Sequence, residues 1–315
     1  MKLTQPLMSR YACAFAVRAI SAILTVSVCA SGMIAQEGTY DWSKSHTLYS
    51  GIQHVRVEVV NPSRTVINCL RVDSHTPELS FHASGRYSEW VEGKQETRRQ
   101  TVRNFIRESQ KTNRQLVVAT NADAFSPWPV PYQAETPTDV LGLLVSAGTL
   151  VSRGSGTPSF IVTESGELRI EGAGADMDVT DIETAVSGFG LCLLNGQVRP
   201  SGDDHHPRTG LGLSSDHRYV LMMTIDGRQP ASAGATTQAV GTWLKHFGAH
   251  TGINMDGGGS TTMAWWDPAA SGEDKCRLLN SPVGNGASND RENVRAPFQS
   301  TERANGSNLG VYFKQ

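Results

Sequence analysis

Two aspartates, Asp226 and Asp256, each stand at the end of an apolar run and are each followed by glycine. A carboxylate held at the end of a strand can act as a base, a nucleophile or an oxygen ligand, and strand ends are where loops display such groups. Asp226-Gly227 alone is equally consistent with a plain turn pair. Asp256 is different, because Gly257, Gly258 and Gly259 follow it, and three successive glycines carry a folding entropy that needs a reason. One reason is close approach to a ligand, with the turn's N–H groups forming an anion-binding nest to which Ser260 and Thr261 add hydroxyls. The other is a tight bend before a strand over 262–265. Asn254, two residues before the aspartate, belongs to the same segment.

A second constellation is His205-His206-Pro207-Arg208-Thr209-Gly210. A guanidinium can meet phosphate oxygens through two parallel hydrogen bonds, so Arg208 is the candidate for holding an anionic substrate. His206 can titrate near neutrality, although a histidine pair before proline also suits a surface turn. Asn121 ends the apolar run 116–120 and is followed by Asp123, a placement suited to orienting a sugar hydroxyl or a metal ion. Asp123, Asn254 and Asp256 could offer oxygen ligands to a structural calcium, but their spacing does not demand one. The cysteines and histidines have no zinc spacing. The expectation is therefore that no cofactor is required.

Positioning these groups falls to a mixture of strands and a few helices. Alternating patterns over 54–60, 64–72 and 78–82 read as antiparallel strands, and Ala147-Gly148, the stretch 164–167 and Asn195-Gly196 read as hairpin turns. Between Thr97 and Lys111 the apolar residues fall three and four apart, which predicts an amphipathic helix. A second helix is expected from Thr236 to Phe247, with Gly248 ending it. It lies between apolar strands 219–225 and 252–255, so a strand, helix, strand crossover would bring Asp226 and Asp256 to one sheet edge. The four prolines between Ser126 and Thr138 suggest a surface loop bordering a cleft. The predicted class is α+β, with mixed, largely antiparallel sheets, many hairpins and a few packed helices.

The amino end carries Lys2, Arg10 and Arg18, then an apolar run to Ala30 and small residues to Ala35, the pattern of a secretory signal peptide over 1–35. That run is short for a bilayer span, so no stable membrane span is expected after processing, and the product would be secreted or periplasmic. Removing it takes three cations away and moves the formal net charge from −2 to about −5. No clustered basic surface remains, which excludes nucleic acid as a partner. Cys69, Cys192 and Cys276 stay, enough for one disulfide in an oxidising compartment.

Four segments in order, Asn121-Ala122-Asp123-Ala124-Phe125, Pro207-Arg208-Thr209-Gly210-Leu211-Gly212, Ile225-Asp226-Gly227-Arg228 and Asn254 through Met263, together resemble the phosphodiester glycosidase family. The likeness runs from about Gln115 to the closing Asn308–Phe313. Ala122 stands where the family usually has glycine. The resemblance implies that Arg208, Asp226 and Asp256 match its active-site region, and that the substrate is a phosphorylated glycan or sugar-1-phosphodiester. It gives the catalytic domain over 115–315 but does not cover the chain before Gln115, where the strand pattern predicts a β-rich segment over 36–114 packed on that domain. The expected reaction is hydrolysis of the glycosidic bond. Asp256 would be base or nucleophile, Asp226 a support on sugar hydroxyls or the alternative base, and Arg208 with the glycine amides would meet the phosphate. The alternatives are a non-catalytic glycan-binding module using Trp128, Tyr132, Trp265 and Trp266 as stacking faces, and a phosphodiesterase cutting the phosphorus–oxygen bond.

Overall fold

Among the described residues, alternating apolar and polar positions pair into four sheets, every pairing antiparallel. The computed structural model describes residues 39–61, 63–127, 133–284 and 302–315; the expected signal peptide with Cys13 and Cys29, and Trp128 and Tyr132, lie outside the described residues. The eight-stranded sheet runs, in spatial order, His46–Tyr49, Ile52–Val59, Thr65–Asp73, Tyr219–Ile225, Arg208–Leu213, Thr251–Asn254, Gly190–Leu194 and Gln197–Val198. One five-stranded sheet is built from Thr149–Ser152, Leu144–Ser146, Ile182–Ser187, Thr157–Thr163 and Leu168–Ala173. The other contains Cys276–Leu278, Met263–Trp266, Leu116–Asn121, Asn308–Phe313 and Leu79–Ala83. A small three-stranded sheet joins Thr97–Arg98, Pro137–Val140 and Phe125–Ser126. Strands from both 36–114 and 115–315 share these sheets: Thr65–Asp73 pairs with Tyr219–Ile225, and Leu79–Ala83 with Asn308–Phe313.

Strand period decides the layering. In Thr65–Asp73, Leu70 and Val72 point to one face and Ile67 and Cys69 to the other, and all four are fully buried. The first face packs on both five-stranded sheets through Phe81, Val118, Leu144 and Phe160. The second is covered by a helix, α2 (Thr237–His246), whose Val240, Trp243 and Leu244 form the apolar stripe. On the outer face of the sheet holding Leu116–Asn121 lies α1 (Val102–Ser109), docked by Val102, Phe105 and Ile106.

Local chemistry sets the ends. Thr236 caps α2 by accepting from the Ala239 amide, and Gly248 at φ +105° stops it. Ala147-Gly148 and Asn195-Gly196 all have positive φ, the two-residue hairpin geometry that their types suggested. The first helix is shorter than its period predicts. Thr101 caps it by accepting from Asn104 N, and Thr97–Arg98 is drawn into a strand against Pro137–Val140. That pairing also makes part of the proline-rich stretch a strand rather than a loop.

Among the described residues there are two α-helices, of eight and ten residues, so the fold is mainly β and the α+β expectation overstated the helical share. The antiparallel sheets, the hairpins and the crossover hold: Tyr219–Ile225 and Thr251–Asn254 are joined through α2 and both pair with Arg208–Leu213, which lies between them. Cys69, Cys192 and Cys276 are free, buried thiols, so the permitted disulfide does not form among the described residues. No helix among them is long and apolar enough to cross a membrane.

Candidate active site

Antiparallel pairing places the start of one strand beside the end of its neighbour. Arg208 is opposite Ile225, and Gly210 and Gly190 both face Asn254. One edge of the large sheet therefore carries, strand by strand, Asp226, Arg208, Asp256 and the chain entering Gly190–Leu194. The end of Leu116–Asn121 docks on the same edge, where Asp256 N donates to Ala122 O at 3.1 Å. Both sequence-predicted aspartates, Arg208 and the Asn121–Asp123 segment thus meet in one place.

Asp256 keeps part of its surface exposed. Its carboxylate accepts from Gly257 N at 2.9 Å. Surrounding protein raises its pKa to about 6 by desolvation, opposed by a hydrogen bond from Ser260, the charge of Arg303 and the Gly257 amide. Arg303 Nη1 in turn reaches Ser260 Oγ at 3.4 Å, so guanidinium, hydroxyl and carboxylate form a short chain. Asp123 is buried beneath. Its oxygens accept from Ser187 N at 2.5 Å and from Ser307 Oγ, and burial, reinforced by the Asp256 charge, pushes it to about 7.

Asp226 is only 4 % exposed, and its carboxylate is committed to the protein. Asn280 Nδ2 donates to Oδ1 at 2.9 Å, and Ser281 N approaches both oxygens at 3.1 and 3.2 Å. Burial raises this acid to about 6 against those hydrogen bonds. Asn280 also donates to Thr261 O and accepts from Met263 N at 2.7 Å, which ties the Asp226 strand end to the exit of the glycine turn. Asn121 does comparable work from below. Its amide donates to Asp256 O at 2.8 Å while its Oδ1 accepts from Thr209 Oγ1 at 2.8 Å and Thr262 N at 3.1 Å. Such an amide anchors three strand ends rather than offering itself to a sugar. Thr261 and Asn254 are buried in the same joint, and Asn254 O accepts from Phe189 N.

Most amides of the glycine turn are engaged within the protein. Gly257 N is bonded to the Asp256 carboxylate, Gly258 N to Pro207 O, Ser260 N to Gly257 O and Thr261 N to Gly258 O. Those four donors already have protein acceptors. What requires glycine is space and backbone shape. A Cβ on Gly257 would come 2.9 Å from Pro207 O, Gly258 has φ +63°, and a Cβ on Gly259 would sit 2.2 Å from Gly284 O and 2.4 Å from Arg303 Nη2. The tight turn lets guanidinium groups approach the chain. Arg228, itself at φ +57°, places both terminal nitrogens 3.4 Å from where a Gly258 Cβ would be.

Arg208 faces partly elsewhere. Its Nη2 donates to Asp203 and to Asp204 O, and Nε donates to Ala235 O, so it fastens the loop before α2 while its Cδ passes beside Gly257. Burial opposes ionisation of Asp203, but hydrogen bonds from Ser201 and Thr237 and the Arg208 charge hold its carboxyl down at about 2. His206 Nδ1 lies 3.2 Å from Arg228 Nη2; burial and the neighbouring arginines lower its pKa and favour the neutral ring. Arg228, Arg303 and Asn280 were not among the sequence-predicted site residues. Arg228 follows Asp226-Gly227 directly, a signal that was available; Arg303 and Asn280 reach the turn only through tertiary folding. Trp265 and Trp266 are partly buried on core clusters along a strand leading away from Asn121. A cavity of ≈470 Å³ lined by Arg114, Thr163, Glu183 and Tyr312 lies at the opposite end of the Leu116–Asn121 strand and includes none of these site residues.

The model of the phosphodiester glycosidase family matches residues 114–312. Compared with solved structures, the chain is similar to the zebrafish N-acetylglucosamine-1-phosphodiester α-N-acetylglucosaminidase catalytic domain, described as auto-inhibited by its pro-peptide. The identity is 18 %, the coverage 85 % of each chain and the TM-score 0.60. It is also similar to a hypothetical protein from Synechocystis, at 12 % identity, covering 86 % of this chain and 63 % of that one, with a TM-score of 0.54. A protein from Burkholderia pseudomallei follows at 12 % identity, 79 % and 74 % coverage and a TM-score of 0.51. At these identities the likeness speaks for the fold. No curated protein matches the sequence.

Proposed function

The chain belongs to the phosphodiester glycosidase family, and on that premise we propose that it hydrolyses a sugar-1-phosphodiester at the glycosidic bond, releasing sugar and a phosphomonoester. The observation that carries the reading is the sheet edge on which Asp256, partly exposed, stands between strands bearing Arg208 and Arg228 on one side and the Asp123 segment below. A phosphomonoester leaves readily once its charge is met, so the site needs cations for the phosphate and one carboxylate for the anomeric carbon.

In this scheme water attacks the anomeric carbon, Asp256 takes its proton, and the carbon–oxygen bond breaks with its electron pair leaving on the phosphate. Arg228 over Gly258 and Arg303 beside Gly259 meet that charge, with Arg208 holding the loop that borders them. Asp226 acts here as a positioning residue through Asn280, because its oxygens are already engaged. No metal takes part in any step. The same reading includes export of the chain to the periplasm or medium after loss of 1–35.

Hydrolysis of a panel of sugar-1-phosphodiesters in oxygen-18 water tests the bond that is cut. Label in the sugar is expected; label in the phosphate means phosphorus–oxygen cleavage and overturns the glycosidase reading. Saturable binding without turnover across the panel would instead favour a glycan-binding module. Activity surviving exhaustive chelation is expected, and its loss with recovery on added calcium overturns the metal-free scheme.

A further inference from the structure

Large apolar side chains are normally withdrawn from water, so two that stay exposed beside a carboxylate ask for an occupant. Phe189 is 60 % exposed and Leu141 is 46 % exposed. Both are anchored at the site edge by their backbones: Phe189 N donates to Asn254 O at 2.9 Å, and Leu141 N donates to Ala124 O at 2.8 Å, next to Asp123. The two segments are also locked together. A Cβ on Gly142, at φ +127°, would lie 2.5 Å from Ser187 Cβ, and Ser187 N bonds to Asp123. Gly188 is similarly tight, since a Cβ there would meet Ile253 at 2.4 Å and Asn254 O at 2.6 Å. The chain is thus pressed against the end of the Asp256 strand immediately before Phe189 projects into solvent.

The strand order then sets sides. Across the sheet edge come the Asp226 strand with Arg228, the Arg208 strand, the Asp256 strand and the Phe189 strand, each about 4.8 Å from the next. In the order of strand ends, the one leading to Asp256 lies between those carrying Arg208 and Arg228 and the one entered from the exposed Phe189. A sugar-1-phosphodiester has the same linear order: charged phosphate, anomeric carbon, then the ring with its apolar C–H face. We propose that Phe189, with Leu141 beside it, is the platform on which the apolar face of the substrate's sugar ring rests, making it the specificity-determining wall of the site. This rests on the sugar-phosphodiester reading above and adds the direction in which the substrate lies.

The test uses the full chain and two probes. Inorganic phosphate engages the arginines alone, whereas glucose 1-phosphate and N-acetylglucosamine 1-phosphate engage the arginines and Phe189. By calorimetry, wild type should bind at least one sugar 1-phosphate more tightly than inorganic phosphate. Phe189→Ala should weaken that binding about tenfold while leaving inorganic phosphate unchanged, and Phe189→Trp should restore it. With a turned-over diester, Phe189→Ala should raise KM by a similar factor and change kcat little. Because the side chain is exposed, the thermal midpoint of Phe189→Ala should match wild type, separating lost contact from lost fold. Equal sugar-phosphate affinity in Phe189→Ala and wild type overturns the platform. So does a wild type that binds no sugar 1-phosphate better than inorganic phosphate. Neither result depends on turnover, so a failure of the platform is distinguishable from a failure of the hydrolase reading.

Discussion

Asp256 is a carboxylate whose surroundings pull in opposite directions. Desolvation raises its pKa to about 6, while Ser260, Arg303 and the Gly257 amide favour the ionised form. A base must be ionised to accept a proton, so activity should rise through an acid limb near pH 6 and level off above it. Replacing Asp256 with Asn should lower kcat/KM by about a hundred- to ten-thousand-fold and remove that limb. Ser260→Ala is the sharper experiment, because it deletes a hydrogen bond that lowers the pKa. The limb should move upward in pH, and a limb that stays in place or moves down would show that another group is being titrated. Arg303 and Asn280 escaped the sequence analysis for a simple reason: a guanidinium or amide far along the chain carries no sign of which turn it will reach, whereas Arg228 stood beside Asp226-Gly227 in a quoted segment and was passed over.

At the scale of elements, the site depends on how closely α2 and the glycine turn approach their neighbours. Gly241 lies in α2, and a Cβ there would be 2.1 Å from Cys192 O in the strand Gly190–Leu194. Helix propensity favours alanine over glycine by about 1 kcal/mol, but a clash with backbone oxygen cannot be relieved by a side-chain rotation. Overpacking of this kind costs about 1–3 kcal/mol or more. Gly241→Ala should therefore be destabilised in urea unfolding despite its better propensity, and a stabilised variant would contradict the close packing. Thr236→Ala removes the α2 cap and should cost about 1 kcal/mol. The terminating Gly248 and the period of Val240, Trp243 and Leu244 were legible in the sequence, which is why α2 came out nearly residue for residue. The first helix did not, because the competing strand at Thr97–Arg98 depends on a partner forty residues away.

At the scale of the whole molecule, three acids at one sheet edge are held with raised pKa values: Asp123 at about 7, Asp226 and Asp256 at about 6. In the unfolded chain each would titrate near 4. Between these limits the folded protein keeps protons that the unfolded chain has released, so these three acids contribute a stability that falls as pH rises from about 4.5 to about 7, while burial that lowers His54 and His82 to about 4 contributes the opposite slope. Across the upper part of that range the urea midpoint of Asp123→Asn should fall less steeply than that of wild type. Equal pH slopes in wild type and Asp123→Asn would mean that the Asp123 carboxyl is already ionised at low pH in the fold. Composition and period by themselves determined the antiparallel strands, the hairpin turns and the crossover helix, because these follow from local backbone preference and from alternation along a short stretch. Only the tertiary structure decided what Asp226, Asp256 and the glycines touch. It committed Asp226 to Asn280, brought the glycines into close contact with Pro207, Gly284 and two arginines, and set the Phe189 strand and the Arg208 strand on either side of the Asp256 strand. Each outcome depends on which strand ends become neighbours, and that is set by burial of whole sheet faces rather than by any one segment.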